Sequence, residues 1–68
     1  MAKIGNYYVD AVAERAHDGF AGTVRYHWDE GGETLFNKVV FEKVFPTEDE
    51  AKRSALEQFE VRVRNGTT

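Results

Sequence analysis

Asp10 and His27 are the residues of this chain whose types could do chemistry together. If the strands that carry them pair as the sequence predicts, the carboxylate faces the imidazole, which is half of a general acid–base pair. Glu14 lies opposite Thr23 and diagonal to Arg25 in the same pairing. No third group at a fixed spacing completes a catalytic constellation, so the plain expectation is a cross-strand charge pair contributing a few tenths of a kcal/mol. An enzyme using Asp10 and His27 is the remote alternative. His17 sits beside Asp18-Gly19 as a solvated turn residue. Two histidines ten residues apart, with no cysteine in the chain, do not form a zinc site. Gly31-Gly32 leads into a strand without the lysine of a phosphate-binding loop. No catalytic, metal or cofactor site is therefore expected, and the chain reads as non-enzymatic.

The elements that position these residues follow from periodicity and turn chemistry. Residues 6–17 alternate, with Tyr7, Val9, Ala11 and Ala13 on one face and Tyr8, Asp10, Val12 and Glu14 on the other. Asp18-Gly19 predicts a hairpin, because a type I′ turn needs φ > 0 at both central positions. A second strand runs over about 20–28, Gly31-Gly32 forms the next turn, and a third strand spans about 34–45. With Asp18-Gly19 central, His17 pairs with Phe20 and Val9 with Trp28. With Gly31-Gly32 central, Trp28 pairs with Leu35, Val24 with Val39 and Gly22 with Phe41. Both registers bring apolar faces together, whereas a one-residue slip would turn one set outward. Asn37 would then face Tyr26 on the core side, where a bulge or a buried hydrogen bond is needed.

Thr47 followed by Glu50 has the form of a capping box, and Glu48, Asp49 and Glu50 complement the positive end of a helix dipole. A helix over about 48–64 carries the stripe Ala51, Ala55, Leu56, Phe59 and Val63 and ends at Asn65-Gly66. A short fourth strand over 60–64 is the alternative ending. The expected fold is thus α+β: a three-stranded antiparallel meander with one C-terminal helix on one face, a two-layer sandwich in a single 1–68 domain.

That arrangement leaves one sheet face bare. Tyr8, Val12, Phe36, Val40 and Val44 lie on it and form a candidate partner-binding surface, for another protein or for a second copy of the chain. The net charge of −3 is the wrong sign for a protein built to neutralise phosphates. The charge is uneven, at −5 over residues 1–50 and +2 over 51–68. Arg25, Arg53, Arg62 and Arg64 are accordingly the alternative, nucleic-acid-binding set. No apolar run approaches the ~18 residues of a membrane span. The N-terminal residues lack the apolar core of a secretory signal, so cytoplasmic residence is expected.

The β-β-β-α order resembles part of the double-stranded-RNA-binding fold and the small antitoxin domains of the HicB type. Phe45-Pro46-Thr47-Glu48-Asp49-Glu50-Ala51, followed by Ala55, is similar to the F-x-T-x-x-E-A…A helix entry of many short bacterial β-β-β-α domains. The first resemblance implies a lysine-rich helix start facing phosphate, and Glu48-Asp49-Glu50 stand there instead. The second implies a DNA-binding segment after the domain, which the residues after Arg64 do not supply. Neither resemblance carries a functional residue onto this chain.

Overall fold

The computed structural model describes residues 2–66. Four strands and one helix follow one another: β1 (Ala2–Ile4), β2 (Tyr7–Ala16), β3 (Gly19–Glu30), β4 (Glu33–Phe45) and α1 (Glu48–Arg64). The strands form one antiparallel sheet in the order β1-β2-β3-β4. The α+β meander with a C-terminal helix is as expected, but the sheet has four strands rather than three. The added strand is β1, which pairs Ile4 with Tyr7 and Ala2 with Val9 around a two-residue Gly5-Asn6 turn. Gly5 has φ 60°, the positive value that the first central position of a II′ turn requires. Three residues are too few to show a period, so only the turn glycine marked this strand in the sequence.

The helix begins and ends where its caps put it. The Thr47 hydroxyl accepts the Glu50 N–H at 3.2 Å, three acids occupy the first turn, and Arg62 and Arg64 the last. Gly66, at φ 72°, follows the Asn65 cap. Residues 60–64 are helix, so the fourth strand is not the one weighed there. Ala51, Ala55 and Phe59 are buried, and Leu56 and Val63 pack beside them. Among the described residues, no helix is long and apolar enough to cross a membrane.

The core lies between α1 and the strands β2 and β3. Phe59 is fully buried against Val9, Val24 and Tyr26, with Tyr7, Trp28, Val39 and Phe41 packed around them. Tyr26 and Phe59 rings lie 4.7 Å apart, and Tyr7 meets Tyr26 edge-on at 5.3 Å. Such ring pairs add about 0.5–1.5 kcal/mol each beyond their area burial. Gly22 is buried where the helix crosses β3, facing the Ala51 carbonyl and the Ala55 methyl. The small residues on both sides set the depth of the helix on the sheet. Asn37 lies opposite Tyr26 as expected, without a bulge. Its side chain is exposed and accepts the Lys38 N–H at 2.8 Å.

Two registers differ from expectation. The Gly31-Gly32 turn forms as derived, with φ 58° and 82°, and Trp28 pairs with Leu35 and Val24 with Val39. Further along, Ala21 pairs with Val44 while Thr23 pairs with Val40. Phe41, Glu42 and Lys43 therefore span the place opposite the single Gly22, a bulge that removes the expected Gly22–Phe41 pair. In the first hairpin the central residues are His17 and Asp18, neither with positive φ, and Ala16 pairs with Gly19. A Cβ on Gly19 would collide with the Phe45 carbonyl and with Val44, so this glycine serves a close strand approach rather than a I′ turn. The shift displaces every β2–β3 pair by two residues, and Val9 now faces Tyr26 instead of Trp28.

Candidate functional site

A two-residue shift preserves the faces of a strand and changes its partners. Asp10 pairs with Arg25, and His27 pairs with Tyr8. The expected Asp10–His27 pairing is therefore absent: the two residues are diagonal rather than opposite on neighbouring strands, and both line one hollow of this face. Glu14 lies opposite Ala21 rather than Thr23, while Val12 takes the position opposite Thr23. His17 and its neighbour Asp18 are solvated at the hairpin tip, 4.0 Å apart.

The sheet face away from α1 is crossed by four rows, each read over β2, β3 and β4: Tyr8–His27–Phe36, Asp10–Arg25–Lys38, Val12–Thr23–Val40 and Glu14–Ala21–Val44. Lys3 on β1 extends the first row, its ammonium 5.4 Å from the centre of the Tyr8 ring. The first three rows are aromatic, charged and aliphatic in turn, the fourth sets the Glu14 carboxylate in line with Val44, and a hollow of about 450 Å³ lies between the first two. Four of the five candidate partner-binding residues are exposed on this face: Phe36 at 75%, Val40 at 59%, Val44 at 39% and Tyr8 at 37%. Val12 is half-buried beside Thr23, which is itself buried.

Ring orientation decides what the aromatic row can hold. Tyr8 and His27 lie 5.1 Å apart and 18° from parallel. That separation is close to the ~4.8 Å between neighbouring strands, so the rings stack across the sheet and stand upright on it. His27 and Phe36 follow at 5.5 Å and 38°. The faces of Tyr8 and His27 are taken by each other and by Lys3, and ring edges point to solvent. Nucleobase binding on such a sheet needs open ring faces, and here only the outer side of Phe36 supplies one.

The alternative nucleic-acid set is divided between two sides of the domain. Arg25 lies on the open face, whereas Arg53, Arg62 and Arg64 are on the helix that covers the other face. Arg53 lines a separate hollow with Lys43, Glu50 and Glu57, and Arg64 reaches Glu60 at 3.4 Å. The four arginines make no single basic surface. Sequence reasoning missed Lys3, because β1 was not recognised. It also missed the Tyr8–His27–Phe36 row, because the derived register set Asp10 against His27. No protein-family model, curated protein or solved structure matches this chain.

Proposed function

We propose that this chain is a non-enzymatic protein-binding module that works through the open face of its sheet. The carrying observation is the exposure of Tyr8, Phe36, Val40 and Val44 on a face that no element among the described residues covers. Apolar side chains left bare together on one face of a small domain mark an interaction surface. The charged row between them supplies orientation, since polar and charged groups in an interface fix register more than they add affinity.

The test is Phe36→Glu combined with Val40→Lys, set beside Arg62→Glu combined with Arg64→Glu, with folding followed by circular dichroism and binding by light scattering and affinity capture. The sheet variant keeps its fold, because exposed substitutions alter stability by about ±0.5 kcal/mol. It loses binding, because the new charges must be desolvated at the centre of the contact. The helix variant keeps binding. The opposite pattern, with binding lost on charge reversal and in high salt, identifies phosphate recognition and overturns the proposal.

A further inference from the structure

We infer that the partner is a second copy of this chain, packed face to face about a two-fold axis that runs along β3; this rests on the open-face reading above. Such an axis lies in the interface and turns β2 of one copy over β4 of the other, keeping each row over itself. Tyr8 then meets Phe36 of the second copy, Asp10 meets Lys38, and Val12 meets Val40, and symmetry repeats each contact. Over these three rows aromatic faces aromatic, acid faces base, and aliphatic faces aliphatic, while in the fourth row Glu14 meets Val44. The other in-plane axis, perpendicular to the strands through the charged row, sets Asp10 on Asp10 and Lys38 on Lys38. Of these two axes, the one along β3 is the complementary one over the first three rows.

The geometry tolerates the twist of real sheets. Aligned sheets cross at about 30°, and β2 and β4 lie one strand spacing, ~4.8 Å, from the axis. The crossing displaces facing residues by about 2.5 Å along the strands, well under the ~6.7 Å between rows. The size is also adequate. The domain measures 42 × 21 × 17 Å, so its broad side is large enough for the ~800 Å² per partner of a standard interface. Edge-to-edge pairing through β4 is opposed by its bulge and by Lys38, Glu42 and Lys43, devices that protect sheet edges.

Glu14 against Val44 is unfavourable, and so is a further contact: Arg25 lies on the axis and approaches Arg25 of the second copy. Its sign separates this packing from phosphate binding, in which Arg25 would be an attractive contact. The experiment is sedimentation equilibrium on the full chain, wild type and variants, with folding checked by circular dichroism. Asp10→Lys and Lys38→Asp each weaken dimerisation by on the order of tenfold or more, because each places like charges opposite one another twice. The double variant Asp10→Lys with Lys38→Asp returns it to within a few-fold of wild type. Arg25→Gln tightens it. A double variant no better than either single, or a weaker Arg25→Gln dimer, overturns the two-fold packing. So does a wild type that stays monomeric at several hundred micromolar. If that monomer still captures a different protein and Phe36→Glu with Val40→Lys abolishes the capture, the open-face reading survives without the dimer. If it captures nothing, both fall.

Discussion

Gly22→Ala adds a single methyl group at the crossing of α1 over β3, and the structure sets its cost. The new Cβ would lie 2.5 Å from the Ala51 carbonyl oxygen and 2.7 Å from the Ala55 Cβ. Carbon atoms rest about 3.5–4.0 Å apart, so helix and strand must separate by roughly 1 Å. Neither obstacle can swing aside, since one is backbone and the other a methyl without a rotamer. Overpacking of a well-filled site costs about 1–3 kcal/mol, and this rigid contact belongs at the upper end. Unfolding entropy of about 2.1 cal/mol/K per residue over 68 residues makes 1 kcal/mol equal to about 7 °C of melting temperature. Gly22→Ala therefore lowers Tm by roughly 20 °C, a loss of about 3 kcal/mol from a domain whose whole stability is on the order of 3–10 kcal/mol.

The assay is thermal unfolding by far-ultraviolet circular dichroism, with Gly31→Ala as the control. Gly31 has no atom within 4 Å of a built Cβ, and its φ of 58° leaves only the left-handed penalty of about 1 kcal/mol. The steric cost at Gly22 thus exceeds the conformational cost at Gly31 about threefold. A Gly22→Ala protein that melts with the wild type, or above Gly31→Ala, refutes the close seating of the helix. The positions of Phe59 and Tyr26 in the core would fall with it.

Two further stability changes are expected. Thr47→Ala removes the acceptor of the Glu50 N–H and costs about 1 kcal/mol, a fall of about 7 °C by the same conversion; an unchanged Tm would place the helix start elsewhere. Gly19→Val forces a branched side chain against the Phe45 backbone and Val44, whereas Gly66→Val meets open space at φ 72°. Gly19→Val is the more destabilising in urea denaturation, and equal midpoints would show that β3 does not approach β4 as closely as the structure has it.

The parts of the fold legible in the sequence were those encoded by a few adjacent residues. Thr47, Glu50 and the acids between them specify a helix start by local hydrogen bonding and charge, and Gly31-Gly32 specifies a turn by its φ angles. The parts that were not legible depend on residues far apart in the chain. Gly19 looked like the centre of a turn, but its role is set by Phe45, twenty-six residues away. Nothing in the alternation of Phe41, Glu42 and Lys43 announces a bulge opposite Gly22. β1 is too short to carry a pattern and exists because β2 offers it an edge beside the Gly5 turn.

The same distinction explains why a surface could be read from the sequence and a catalytic pair could not. A strand places its side chains with period two, so an error of two residues in register leaves every side chain on its own face. Tyr8, Phe36, Val40 and Val44 are therefore exposed together despite the wrong β2–β3 register, because membership of a face depends on parity alone. An acid–base pair depends on which residue stands opposite which. The two-residue offset moved Asp10 from His27 to Arg25 and brought Tyr8 onto the imidazole. The two-fold packing has both kinds of dependence. The exposure of its aliphatic and aromatic residues follows from parity, but each contact, Tyr8–Phe36, Val12–Val40 and Asp10–Lys38 alike, requires that its two members share a row. Charge-swap rescue between positions 10 and 38 consequently tests the register as well as the interface. A one-row slip between β2 and β4 would leave the patch exposed and remove the rescue.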